Sequence, residues 1–253
     1  MTAISNLPKD ADRVVILGVP IDRMSMNQAL DRMGEFIASG KPHLVVTADA
    51  AGIAQAQTDP ALMRIYRDAA LVTPDSIGVL WAARRQGEPI SERVSGVEIL
   101  DKMCARSAEH GYRLFFLGAE PGVADLAAEK MRLRHPGCNI VGTRHGYFPP
   151  ESDAVVAAEV AEFKPDVLFV AMGIPRQETF IRETAHIIGA KVGIGVGGSF
   201  DVFSGKAKRA PAVIQKMRAE WVWRTLQNPK KIRKAMWLPK FVAYVLRTGK
   251  KAR

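Results

Sequence analysis

The feature that most constrains this chain is its alternation of two hydrophobic periods. Short apolar or β-branched runs at 13–18 (RVVILG), 43–47 (HLVVT), 112–117 (YRLFFL), 166–171 (DVLFVA) and 191–196 (KVGIGV) end at Gly, Thr or Pro signals, the pattern of buried strands. Between them, stretches of helical period lie near 26–39, 50–69, 76–86, 96–110, 121–134, 152–163 and 176–188. Strands that alternate with helices imply a mostly parallel, Rossmann-like sheet covered by helices on both faces. The expected class is therefore α/β, in a domain over 1–205, with a basic helical C-terminal appendage over 206–253.

A chain of 253 residues, 47% apolar and 25% charged, can bury one substantial core. Its two cysteines, Cys104 and Cys138, have neither a CxxC nor a Cys/His ligand spacing, which argues against a disulfide framework or a zinc site and fits a reducing cytoplasm. The opening MTAISNLPKDADR lacks a long apolar run, and no uncharged apolar stretch has the length of a spanning helix. The expectation is a protein neither exported nor transmembrane. Charge is placed unevenly. Of the 36 Lys and Arg, 15 follow Ser204, against the single acid Glu220, so that tail carries +14 of a net +10 and the preceding residues carry −4. A concentrated excess of this kind implies an anionic partner.

In parallel sheets ligands bind at the carboxyl ends of the strands. The loops there read TADA (47–50), TPDSIG (73–78), GAEPG (118–122), MGIPRQE (172–178) and GVGGSFDVFSGKAKRAP (195–211). GAEPG has the spacing G-x-x-x-G and not the G-x-G-x-x-G of a dinucleotide site, with no acidic ribose ligand evident after it. The amides after Gly118 can hold a phosphate at a helix start, or Gly118 and Gly122 simply permit a tight turn. Gly195, Gly197 and Gly198 let backbone approach a ligand closely, and Asp201 after them either accepts hydrogen bonds from a base or ribose or caps a short helix. Asp75 follows a short strand and precedes a helix, where a carboxylate is an N-cap or turn residue unless it has chemistry to do. Thr47 and Asp49 also suit a turn, and Arg93 a solvated surface.

Taken together, HLVVTADA, LVTPDSIGVLWAARRQG, SERVSGVEIL, LFFLGAEPGV, VLFVAMGIPRQETFI, VGIGVGGSFDVFSGKAKRAP and EWVWRTLQNPKK resemble the successive blocks of the WecG/TagA/CpsF glycosyltransferases, in order over nearly the whole chain. The resemblance implies an inverting hexosyltransferase that moves an N-acetylmannosamine-type sugar from a UDP-sugar to a polyprenyl-diphosphate-linked saccharide in surface-polysaccharide biosynthesis, with no metal or other cofactor. It implies Asp75 as general base and Thr47 beside it in the catalytic pocket. Asp49 stands where the family has Asn, which replaces two donors by a charge, and Ser76 stands where Gly is usual. Arg93 is implied as a partner of donor phosphate or sugar, Gln177 as a donor contact, and Gly197, Gly198 and Asp201 as the uridine side. With no metal, protein cations must neutralise the departing UDP, and Arg209, Arg218 and Arg224 of the tail are the implied ones. In keeping with a metal-free site, His43, His110, His135, His145 and His186 are scattered without ligand spacing.

Within the tail, Trp237, Leu238, Phe241, Val242 and Val245 form an apolar stripe flanked by Lys230, Lys231, Arg233, Lys234, Lys240 and Arg247. Such a helix can lie on an anionic bilayer, which suits a peripheral place on the cytoplasmic face of the bacterial inner membrane. The same stripe can instead pack on the protein's own core or form a homo-oligomer contact, and Pro239 is expected to bend or break it. A nucleotide-binding module with a nucleic-acid-binding tail is a rival reading, but the cations lie beside an apolar stripe and no nucleic-acid motif is present, so no nucleic-acid partner is expected. A catalytically idle scaffold of polysaccharide assembly is the third.

Overall fold

The computed structural model of the chain describes residues 12–206 and 236–248. In chain order the elements are β1 (Arg13–Ile16), β2 (Val19–Asp22), α1 (Met26–Ser39), β3 (His43–Ala48), α2 (Ala50–Ala56), α3 (Pro60–Asp68), β4 (Leu71–Pro74), α4 (Ile77–Arg85), α5 (Gly96–His110), β5 (Leu114–Gly118), α6 (Val123–Arg134), β6 (Ile140–Arg144), α7 (Asp153–Glu162), β7 (Val167–Ala171), α8 (Arg176–Ile188), β8 (Val192–Gly195), α9 (Ser199–Phe203) and α10 (Trp237–Thr248). Six strands form one sheet in the order β4-β3-β8-β7-β5-β6, every pair parallel. The chain steps outward from β3 to β4, crosses to β5 and β6, and returns through β7 to β8. That return places β8 beside β3, a seam where the direction of winding changes and where ligands sit in open α/β sheets.

Period-2 alternation divides the core into two layers. Leu44, Val46, Phe115 and Leu117 face one layer with α2, α3, α4, α7, α8 and α10, while Val45, Leu114 and Phe116 face the other with α1, α5, α6 and α9. Both faces of the sheet are thus covered, and the α/β class expected from the sequence is what forms.

Four local expectations are corrected. The run at 13–18 is not a strand of the parallel sheet but most of an antiparallel hairpin, because Leu17 and Gly18 both take positive φ in a two-residue turn. That hairpin is tied to the edge of the sheet by Asp22, whose buried carboxylate accepts from the Arg13 guanidinium at 2.7 Å and from the Val72 N–H at 2.6 Å. The helical stretch at 50–69 is two helices, since the Asp59 carboxylate caps the N–H groups of Ala61 and Leu62 and Pro60 starts α3. β6 was not among the expected strands: as a half-exposed edge it has only Ile140 and Val141 as apolar signal. Finally, Pro239 neither bends nor breaks the last helix. It sits in the first turn of α10, where a missing N–H breaks no helical bond.

Candidate active site

The carboxyl ends of four neighbouring strands are laced together. The Thr47 hydroxyl at the end of β3 donates to the Gly195 carbonyl at the end of β8 at 2.8 Å. The Asp75 N–H, just past β4, donates to the Ala48 carbonyl at 2.9 Å, and the Val196 N–H past β8 donates to Val170 of β7 at 2.8 Å. Thr47 is 5% exposed and its hydroxyl is engaged. That bond ties the end of β3 to the end of β8.

Asp49 is the N-cap of α2, its carboxylate accepting the Gly52 N–H at 2.7 Å. Asn and Asp cap helices about equally well, which gives a physical account of an acid in the position where the resemblance has an amide. Asp75, by contrast, is not the cap of α4. That position is Ser76, whose hydroxyl accepts the Ala50 N–H at 3.1 Å. Asp75 is half-buried. It shares its surroundings with two further carboxylates, because Tyr66, wholly buried under this edge, feels the charges of Glu178, Asp49 and Asp75 together. Burial first, and then those three carboxylates, push the Tyr66 phenol well above its ordinary value. The sequence pattern carried no sign of Tyr66, and Glu178 was legible only as the last residue of MGIPRQE.

Gln177, the donor contact that the resemblance implies, is held within the protein by its own hydrogen bonds. It is 1% exposed and both ends of its amide are in use: Oε1 accepts the N–H of Gly173 and of Gly197, each at 3.1 Å, and Nε2 donates to Glu178 Oε1 at 2.7 Å. The Gln177 and Glu178 side chains lie directly over Gly195. A Cβ there would come within 2.4 Å of Gln177 Nε2 and 2.9 Å of Glu178 Oε1, so the glycine of β8 exists to let α8 approach this closely. Gly118 does similar packing work. With φ at 137° and a would-be Cβ 2.4 Å from the Ala171 carbonyl oxygen, it lets the ends of β5 and β7 close up. The helix after it begins at Val123, with Gly122 as cap, so the 118–122 turn leads into that helix start.

Gly197 takes a positive φ of 53° and Gly198 is the N-cap of α9, an extended turn between β8 and that helix. Asp201 is within the first turn of α9 and half-buried, so it is not the cap of that helix. Across from it, Lys206 pairs with Glu120, to which the Tyr147 hydroxyl also donates at 3.2 Å, and Asp201 acts electrostatically on both Lys206 and Tyr147. Arg93, near the start of α5, lies 3.6 Å from Glu98, and the Ser95 hydroxyl donates to the same Glu98 oxygen. Arg209, Arg218 and Arg224 lie outside the described residues. Among the described residues there is no group of three or more His, Cys, Asp or Glu able to hold a metal ion, and no helix long and apolar enough to cross a membrane.

With this edge in view, the comparisons with known proteins are specific. The model of the glycosyl transferase WecG/TagA/CpsF family matches residues 14–253. A Bacillus spizizenii protein named N-acetylglucosaminyldiphosphoundecaprenol N-acetyl-beta-D-mannosaminyltransferase is 34% identical over 212 residues, 84% of this chain and 82% of its own length. Staphylococcus aureus proteins of the same name, from strains MRSA252 and MW2, are each 32% identical over 241 residues, 94% of both chains. Family match, relatives and a parallel sheet with its glycine-rich loops at one edge agree: the chain belongs to the WecG/TagA/CpsF family of glycosyltransferases.

Proposed function

We propose that the chain transfers an N-acetylmannosamine-type sugar from a UDP-sugar to N-acetylglucosamine carried on a polyprenyl diphosphate, with inversion and without a metal, at an anionic membrane surface. The acceptor and sugar follow the printed names of relatives that this chain matches along 84–94% of its length. The observation that carries the chemistry is Asp75: a half-buried carboxylate past the end of β4, not used to cap the helix after it, on the same edge as the loops after β7 and β8. In an inverting transfer the acceptor hydroxyl attacks the anomeric carbon from the face opposite UDP. Asp75 takes the hydroxyl proton as the new bond forms, and the electrons of the breaking C–O bond pass to the diphosphate.

The remaining residues then have supporting roles. Gly197, Gly198 and Asp201 form the uridine side and Arg93 meets donor phosphate or sugar, bidentate oxyanion binding being what a guanidinium does well. Thr47, Asp49, Gly118 and Gln177 shape the edge on which these groups stand. Arg209, Arg218 and Arg224 supply charge to the leaving diphosphate, which in a metal-free site has to come from the protein.

UDP is expected to raise thermal stability, and NAD to leave it unchanged. At a hundred times its dissociation constant a ligand stabilises the folded state by about 2.7 kcal/mol, several degrees in a melting scan. Equal stabilisation by NAD would overturn the donor assignment. Transfer itself is expected to survive EDTA, and its loss with recovery on adding magnesium or manganese would overturn the metal-free step.

A further inference from the structure

The Gln177–Glu178 pair is buried, joined side chain to side chain, and placed between the two loops that follow β7 and β8. Its hydrogen bonds have a direction. An amide presents one acceptor end and one donor end, and Gln177 turns its acceptor to Gly173 N–H and Gly197 N–H, 24 residues apart in sequence, with its donor to Glu178. Turned the other way, Nε2 would face two N–H groups and Oε1 would face a carboxylate oxygen. All three contacts would be lost and replaced by like facing like, in a place closed to water. Glu178, an acceptor at this oxygen, adds to the orientation that the two N–H groups favour and gives the donor end its partner. Neither Gly173 nor Gly197 can reach the other directly through the backbone pattern of the sheet, since each lies past its strand's last paired residue.

We infer that Glu178 is a positioning residue: by fixing the orientation of the Gln177 amide it pins the loop after β7 to the loop after β8 and so holds the donor side of the active site in its binding shape. The inference rests on the donor reading above only in its ligand arm. The loops themselves can be watched without any ligand, through the exchange of the Gly173 and Gly197 amide hydrogens.

Amide exchange measured residue by residue by NMR on the full chain tests the first half. In Glu178→Leu, Gly173 and Gly197 are expected to exchange at least tenfold faster, while Val170 and Ile194 in the adjoining strands keep the parent's rates. Uniform acceleration through the sheet would mean a merely structural residue, and unchanged Gly173 and Gly197 would mean no clamp; either result overturns the inference. A charge-swapped pair keeps the test open if the leucine variant does not fold. Gln177→Glu alone sets two buried carboxylates against each other, whereas Gln177→Glu/Glu178→Gln exchanges donor and acceptor across the same bond and is expected to restore both protections to within threefold of the parent. A double variant no better than the single one would overturn the pairing. In the ligand arm, UDP affinity is expected to fall at least tenfold in Glu178→Leu and to recover in the swapped pair, with donor KM moving more than kcat. If the parent does not bind UDP, the donor reading fails and the exchange results still decide the clamp. If the parent binds UDP and Glu178→Leu binds it equally well, the positioning role is overturned.

Discussion

Asp75→Asn is expected to fold, to bind UDP as the parent does, and to lose between about 100-fold and 10,000-fold of its transfer rate, the range that general-base catalysis contributes. The substitution keeps the size and shape of the side chain and removes its capacity to take a proton. The structure sharpens the contrast with a merely structural role. Loss of a helix cap is worth about 0.5–2 kcal/mol of stability, but α4 begins at Ser76, whose hydroxyl is turned to the Ala50 N–H. The cap of α4 is therefore not what Asp75→Asn removes. Single-turnover transfer measured beside a denaturation curve separates the two signatures. A variant that is destabilised yet turns over near-normally would make Asp75 structural and move the search to Asp49. There the same experiment has a built-in control, since Asp49→Asn preserves an N-cap that already accepts the Gly52 N–H. Both variants retaining activity would end the proposed mechanism while leaving membership of the family untouched.

The fold was legible in the sequence where packing repeats a period, and obscure where a single residue decides. β3, β5, β7 and β8 are buried on both faces, so their apolar runs stand out against the helices between them. The hairpin at β1 and β2 was hidden because a turn of Leu17 and Gly18 depends on two φ angles and not on a hydrophobic pattern. For the candidate site, motif spacing put the loops at the carboxyl ends of the strands, where they lie, but could not tell which atoms bond to which. Gln177 and Thr47 are polar residues in ligand-rich loops, and on sequence alone a ligand contact and a loop tie look the same. The structure adds the ties: a carbonyl of β8 for Thr47, and two glycine amides with a carboxylate for Gln177. Tyr66 gave no signal, because its position depends on α3 being a separate helix packed under the sheet edge.

The tail stripe divides in a way that yields the second large effect. Phe241 and Val245, one helical turn apart, are each 1% exposed in the core layer of α2, α3 and α4, whereas Val242 and Leu246, one residue further round, are 42% and 43% exposed. The inward pair is thus part of the body, and for Phe241 and Val245 packing on the protein's own core, one of the alternatives open for the stripe, is what forms: α10 packs along α2, with Phe241 close to Gly78 of α4. Truncating a fully buried phenylalanine to alanine costs about 3–5 kcal/mol through lost burial and the cavity left behind. Phe241→Ala is expected to show a loss of that size in urea unfolding, and removal of residues from Pro229 onward a loss at least as large, so that such a truncation does not leave an intact body behind. Val242→Ser/Leu246→Ser touches the outward pair and is expected to change stability by less than about 1 kcal/mol. If α10 meets an anionic bilayer with that outer face, helped by Lys240 and Arg247, the double variant should bind anionic liposomes at least tenfold more weakly, about 1.4 kcal/mol. Unaltered stability in Phe241→Ala would remove α10 from the core. Unaltered liposome binding in the outward variant would take the membrane contact away from this helix and leave it to the basic residues before Met236.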